Sequence, residues 1–339
     1  MCQRTIIIAE AGVNHNGNIQ LAKKLIDIAV KSGVDYVKFQ SFKSKLLVTE
    51  TAEKANYQKL KAENLETQFE MLSKLELSQD DQNELMNYCL KKKIKFLSSA
   101  FDLESLAYLN KLDLDYIKIP SGEIDNLQYL KKVGSFRKKV LISTGMSNLD
   151  EIRKAINILT NFGTNKDRIT ILHCNTEYPT PMVDVNLNVI KTLKDEFGVS
   201  IGYSDHTLGI EVPIAAVALG ASVIEKHFTM DKKMEGPDHA CSLEPYELKL
   251  MVEKIRNIEM AMGSRLKQVT ESECLNKIKV RKSIHTLIDL PKGHIIQEID
   301  LLMIRPGDGI SPMDMDQVIG RKLKMDLKAG VKLDAKFFL

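Results

Sequence analysis

Short β-branched runs alternate with longer amphipathic stretches along most of the chain. The runs are TIIIA (5–9), DYVKF (35–39), IKFLSS (94–99), DYIKIP (115–120), VLIST (140–144), ITILHC (169–174), VSIGYS (199–204) and SVIEKH (222–227). Runs this short, rich in β-branched and aromatic residues, predict strands. Between them, segments such as IQLAKKLIDIAVKSG (19–33) and LDEIRKAINILTNFG (149–163) repeat apolar residues at helical spacing and stop at a glycine. VPIAAVALG (212–220) is apolar almost throughout, which predicts a short helix packed between neighbours. Strict strand–helix alternation calls for a parallel sheet. Eight such units predict closure into a (β/α)8 TIM barrel, with an open doubly wound sheet as the alternative.

Two stretches depart from this rhythm. Segment 41–77 is long for a strand-to-helix loop and rich in Lys, Glu and Gln, so an extra helix is predicted within it. After a helix over 245–262 the pattern changes: residues 263–280 read as a polar linker. From Arg281 on come short strands and frequent turns, RKSIHTLID, LPKGHII, LLMIRPGDGI and KAGVKL. The predicted organisation is a barrel over 1–262, a linker over 263–280 and a small β-rich module over 281–339.

The length of 339 residues suits a barrel of about 250 plus such a module. With 44% hydrophobic and 27% charged residues, a large core is expected rather than disorder. Forty-eight basic and 45 acidic residues leave a net charge of +3. That balance argues against nucleic acid or an anionic membrane as partner, so any anion must be held by a local cluster. Cys2, Cys89, Cys174, Cys241 and Cys274 form no C-x-x-C pair and are odd in number, which points to buried thiols in a reducing compartment. The opening MCQRTIIIAEAG reads as a strand rather than a signal peptide, and no apolar stretch reaches the roughly 18 residues of a membrane span. A soluble, cytoplasmic protein is expected.

Barrel chemistry gathers at the C-terminal ends of the strands, and every predicted strand end here is polar. In order they carry Glu10, Asn14 and His15; Lys38 and Gln40; Ser98 and Ser99; Lys118, Ser121 and Glu123; Ser143 and Thr144; His173, Asn175, Thr176 and Tyr178; Ser204, Asp205 and His206; and Glu225, His227 and Asp238. Two chemical sets emerge. Lys38, Lys118, Ser99, Ser121, Ser143 and Ser204 combine ammonium groups with hydroxyl donors, which suits a phosphate. His206 and His227, on adjacent strands, suit a borderline divalent ion that polarises a carbonyl. Taken singly, each has a plainer role: a strand-end histidine fixed by hydrogen bonds, a lysine in a salt bridge, or Glu10 simply pairing with a lysine. Cys174 reads as packing, and His173 and Glu225 as supporting or structural groups. Their joint arrangement is what points to a site.

The wording of these strand ends goes further. IIIAEAGVNHNG, VDYVKFQSFK, IKIPSGE, LISTGM, HCNTEYPTP, GYSDHTLG, IEKHFTMDKKMEGPDHACSLEP and RPGDGISP, in this order over about residues 5–335, resemble the sialic acid synthase family. That family comprises N-acetylneuraminate synthases and their legionaminate-making relatives. The resemblance implies that phosphoenolpyruvate is condensed with N-acetylmannosamine to give N-acetylneuraminate and phosphate. A legionaminate synthase using 2,4-diacetamido-2,4,6-trideoxymannose is the alternative. It implies a metal, Mn2+ or Mg2+, on His206 and His227. Phosphoenolpyruvate contacts are implied at Lys38, Ser99, Lys118, Ser121, Ser143 and Ser204. Sugar contacts or acid–base groups are implied at Glu10, Gln40, Glu123, Tyr178 and Asp238, with Thr176 beside them. The C-terminal module is similar to a SAF domain, itself similar to type III antifreeze protein. A domain-swapped homodimer is implied, in which Arg305 reaches the sugar in the partner's site. At 98–101 this chain has SSAF where the family often has S-T-P-F: Ser99 keeps the hydroxyl, and Ala100 stands in place of proline.

The chemistry expected is attack of phosphoenolpyruvate C3 on the open-chain aldehyde, addition of water at C2 with Glu10 or Glu123 managing the proton, and loss of phosphate by C–O cleavage. Two rivals stand beside it: another phosphoenolpyruvate–aldose condensing enzyme, and a non-catalytic sugar- or ice-binding protein suggested by the C-terminal module.

Overall fold

The computed structural model describes residues 4–54 and 66–339. Cys2 and the middle of segment 41–77 lie outside the described residues. The chain divides into two compact units, Met1–Gly263 and Ser264–Leu339.

In the first unit eight parallel strands close a barrel in sequence order. They are β1 (Ile6–Gly12), β2 (Tyr36–Ser41), β3 (Lys95–Ala100), β4 (Tyr116–Ile119), β5 (Lys139–Ser143), β6 (Ile169–His173), β7 (Ser200–Asp205) and β8 (Val223–His227). The helices are α1 (Ile19–Ser32), α2 (Ser44–Leu47), α3 (Gln68–Ser73), α4 (Gln79–Lys92), α5 (Leu103–Lys111), α6 (Leu127–Phe136), α7 (Leu149–Asn161), α8 (Val189–Phe197), α9 (Glu211–Ala218) and α10 (Pro245–Met262). Local chemistry sets their ends. The Asn18 side chain accepts from the amides of Gln20 and Leu21 at the start of α1, and left-handed Gly33 ends it. Asn148 and Glu151 close a capping box at α7. The extra helix expected in 41–77 is present as α2 and α3, and the apolar α9 packs against α10.

Side-chain alternation sorts the strands into two faces. Ile7, Ala9, Val37, Phe39, Ile117, Val140, Ile142, Ile171, Ile201 and Ile224 face outward into the main core, which they share with the helices. Inside, Ile8, Tyr36, Leu97, Leu141, Leu172 and Val223 form a separate buried layer. Two residues further along, the inward face turns polar. The apolar layer is thus a floor, and the chemistry stands on it. Gly202 is required in that floor. A Cβ there would lie 2.5 Å from Leu172 Cδ2 and 2.6 Å from the Val223 carbonyl oxygen.

The second unit holds α11 (Glu271–Val280) and an antiparallel pair, β9 (Ser283–Thr286) with β10 (Leu301–Ile304). Ile284, Leu290, Ile296, Leu301, Leu323, Leu333 and Phe338 make its own core. The stretch expected as linker therefore carries a helix. A Thr270–Glu273 capping box starts it, and nothing in 271–280 breaks it. Among the cysteines, Cys89 and Cys174 are buried as expected, whereas Cys274 on α11 is exposed. Among the described residues no helix is long and apolar enough to cross a membrane.

Candidate active site

Above the apolar floor, the C-terminal strand ends enclose a cavity of about 280 Å³. Glu10, Lys38, Gln40, Ser99, Lys118, Ser121, Ser143, Thr176, Tyr178, Ser204, His206, His227 and Asp238 all line it. Two of the sequence-predicted residues do not. Glu123 is buried just beyond it in a short turn, where its carboxylate accepts from Asn126 Nδ2 at 2.7 Å. Arg305 is exposed directly after β10, in the second unit.

The base of the cavity is a buried network of four charges. Lys38 is ion-paired with Glu10 and lies 3.3 Å from Glu225, while Lys118 lies 3.4 Å from the other Glu225 oxygen. Lys38 donates to Ser99 Oγ at 2.9 Å, Lys118 to Ser143 Oγ at 2.7 Å, and Ser204 Oγ to Glu225 at 2.9 Å. Each lysine thus has a serine hydroxyl from the next strand beside it. An anion arriving here would meet two ammonium groups and several hydroxyls already aimed into the cavity. Burial drives the Lys118 pKa down. For Lys38 burial acts the same way, but the Glu10 and Glu225 charges outweigh it and raise its pKa. Burial also pushes the Glu10 carboxyl up to about 7 against the pull of Lys38. Neither Glu10 oxygen has a well-aligned hydrogen bond. Burial raises Glu123 too.

Glu225 is the main cavity residue that sequence reasoning left as structural. Its signal was strand alternation: it shares a face with His227, two residues on. The apolar wall formed by Met71, Leu72 and Leu75 was also missed, because nothing in the sequence says where a long loop folds back.

The two histidines stand at the rim, ring centroids 5.6 Å apart. Burial lowers the His206 pKa to about 4 and takes His227 well below its ordinary value. Both are therefore neutral near pH 7, the form in which imidazole ligates metals. His206 Nδ1 donates to the Asn175 carbonyl at 2.5 Å, which leaves Nε2 as the acceptor, and the Tyr178 hydroxyl donates to it at 3.0 Å. His227 Nδ1 is buried without a hydrogen-bond partner and lies 3.9 Å from an Asp238 oxygen. Burial raises Asp238 to about 6. Among the described residues no group of three or more His, Cys, Asp or Glu is arranged to hold a metal ion. Two neutral imidazoles with an unpartnered buried nitrogen fit an ion whose other positions are filled by small-molecule oxygens.

His15 and His173, also at strand ends, are turned elsewhere. His15 Nδ1 accepts from the Gly17 amide, and His173 Nε2 meets the Val185 carbonyl oxygen.

Known proteins carry the same architecture. An N,N'-diacetyllegionaminic acid synthase of Campylobacter jejuni is 52% identical, over 94% of this chain and 96% of the relative. A protein of the same name from Legionella pneumophila is 48% identical, over 96% of this chain and 92% of the relative. The crystal structure of an N-acetylneuraminic acid synthetase from Leptospira borgpetersenii matches with a TM-score of 0.70 at 33% identity, over 80% of this chain and 90% of that one. Residues 281–338 match the SAF domain and residues 25–267 the NeuB family, so the chain belongs to the NeuB family.

Proposed function

We propose that this protein is an N,N'-diacetyllegionaminic acid synthase, which condenses phosphoenolpyruvate with 2,4-diacetamido-2,4,6-trideoxymannose and releases phosphate. The single observation supporting the reaction class is the lysine pair, Lys38 and Lys118, beneath two neutral histidines in one cavity. The acceptor sugar rests on kinship. The legionaminic acid synthases stand at 52% and 48% identity, against 33% for the N-acetylneuraminic acid synthetase. That order favours the diacetamido sugar over N-acetylmannosamine, the acceptor first expected.

In this reading Lys38, Lys118, Ser99, Ser121, Ser143 and Ser204 hold the phosphate end of phosphoenolpyruvate. Gln40, Thr176, Tyr178 and Asp238 face the sugar. The C2=C3 π pair of phosphoenolpyruvate forms the bond from C3 to the aldehyde carbon. The aldehyde C=O π pair moves to its oxygen, which takes up a proton to become a hydroxyl, and water adds at the electron-deficient C2. Glu10 takes the proton of that water; supporting this choice, Glu10 lines the cavity and Glu123 does not. The C2–O bond then breaks with its electron pair going to the phosphate. The new C2 hydroxyl gives up its proton to become the 2-keto group, and the lysines balance the charge of the departing phosphate. His206 and His227 would hold a divalent ion, for which two imidazoles favour Mn2+ over the oxygen-seeking Mg2+. Such an ion supplies Lewis-acid polarisation of the aldehyde oxygen.

Steady-state phosphate release with both sugars tests the assignment. We expect kcat/KM for the diacetamido sugar to exceed that for N-acetylmannosamine by roughly a hundredfold or more, because N-acetylmannosamine has a hydroxyl in place of the 4-acetamido group and an added hydroxyl at C6. Equal rates, or a preference for N-acetylmannosamine, would return the assignment to the neuraminate reading. With phosphoenolpyruvate labelled with oxygen-18 at the C2–O position, the label belongs in the phosphate.

A further inference from the structure

Directly behind the two histidines, on the outer face of the barrel, lies a charge pair that the reaction does not use. Asp205 precedes His206 and Lys226 precedes His227. The two are register partners across β7 and β8, so alternation turns both away from the cavity. Their side chains are wholly buried and paired with each other, in a wall that also contains Tyr203, Ile224 and Phe228.

The pair is tied into the turn that carries His206. Lys226 Nζ donates to the Thr207 carbonyl as well as to Asp205. Asp205 Oδ1 accepts from the Thr207 amide at 3.1 Å and from its hydroxyl at 2.9 Å. The residues on either side of His206 are thus bound to one buried group. From the β6 side, the Thr180 amide donates to the His206 carbonyl at 2.9 Å. The ammonium that holds the His206 turn belongs to the residue next to His227.

Stability alone gives a poor account of this arrangement. Ions taken from water into an apolar wall lose hydration, and a well-packed apolar pair of similar volume is often as stable or more so. What an apolar pair cannot supply is a directional link between the two histidine-bearing backbones. We propose that Lys226, Asp205 and Thr207 are positioning residues that fix the spacing and orientation of His206 and His227. This rests on the reading that those histidines hold a divalent ion.

The test is Mn2+ binding to substrate-free full-length protein by isothermal titration calorimetry, with the melting temperature followed in parallel. The variants are the apolar double replacement Asp205→Leu/Lys226→Met, the near-isosteric Thr207→Val, and His206→Ala as control. We expect the double variant to melt close to wild type yet bind Mn2+ about 10- to 100-fold more weakly, the range typical of groups that orient metal ligands. Thr207→Val should weaken binding several-fold. Wild-type affinity in a folded double variant would reduce the pair to packing and overturn the inference. Should the double variant not fold, unchanged affinity in Thr207→Val overturns it equally. If wild type binds no Mn2+, or His206→Ala binds it equally well, the ligand assignment falls and the positioning role falls with it. Loss of binding in His206→Ala with none in the other variants removes the positioning role alone.

Discussion

Glu10 and Glu225 stand on neighbouring strands and share a lysine, yet they titrate far apart. For Glu225 burial opposes ionisation, but Lys118 and Lys38 outweigh it and hold the carboxyl down at about 2. For Glu10 burial wins over Lys38, with the Glu225 charge adding to it, and the carboxyl rises to about 7. Two groups of one chemical type are thereby set to titrate in different ranges, so that near pH 7 Glu225 is ionised and Glu10 is partly protonated. As the proton acceptor, Glu10 works only when ionised. The acid limb of kcat/KM should therefore rise through about pH 7, and Glu10→Gln should lower kcat by about a hundred- to ten-thousand-fold while flattening that limb. A limb that persists in the variant would assign it to another group. His15 gives a separate prediction, on stability. Burial lowers its pKa from 6.5 to about 4, so below pH 6.5 the unfolded chain takes up a proton that the folded one refuses. Its contribution is complete above about 6.5 and is lost as pH falls toward 4, at about 1.4 kcal/mol per unit. Urea unfolding at pH 7 and pH 5 should show a smaller acid loss in His15→Asn, by about 2 kcal/mol. An equal loss in both proteins would refute it. Glu10 was legible in the sequence because it ends an apolar strand. The state of Glu225 was not, because it depends on which lysines the barrel brings within 3.3 and 3.4 Å.

At the scale of elements, alternation did most of the work. The eight runs became the eight strands because one face of each had to meet the helices and the other had to fill the barrel. The same alternation placed Lys38, Ser99, Lys118, Ser143 and Ser204 inside together. Where pattern gave no periodic constraint, the reading was weaker. Residues 271–280 look polar, yet Thr270 and Glu273 cap a helix there. Glu123 was grouped with the cavity residues; it sits in a short turn after β4 and accepts from Asn126, and it is not among the cavity lining. Gly202 shows how tightly the floor is specified. A Cβ there would meet a main-chain oxygen at 2.6 Å, which no rotamer change relieves. Gly202→Ala should cost about 1–3 kcal/mol of stability, the usual range for overpacking a filled core. A shifted urea midpoint at unchanged slope is the expected record. A wild-type midpoint would mean that β7 and β8 can spread.

For the whole molecule, the barrel and its lysine-lined cavity follow from periodicity and strand-end chemistry, whereas the proposed acceptor sugar rests on kinship alone. Periodicity fixes which atoms face a cavity, but not which of two similar amides and hydroxyls fills it. The same division applies to Arg305. Arg305 is exposed directly after β10, and its action on the partner's sugar site in a domain-swapped dimer is an expectation from the family resemblance. A mixing experiment separates action on the partner from action within one chain. Lys118→Ala damages the barrel site and leaves Arg305 intact; Arg305→Ala does the reverse, and each homodimer should be nearly inactive. If Arg305 serves the partner, a mixed dimer contains one site with both groups intact and one with neither. Random reassociation makes half the dimers mixed, so activity should recover to about a quarter of wild type. If Arg305 serves its own chain, every site in the mixture still lacks one group and no activity returns. Recovery without dimers in sedimentation would point to a different route of complementation, so the two measurements belong on the same sample.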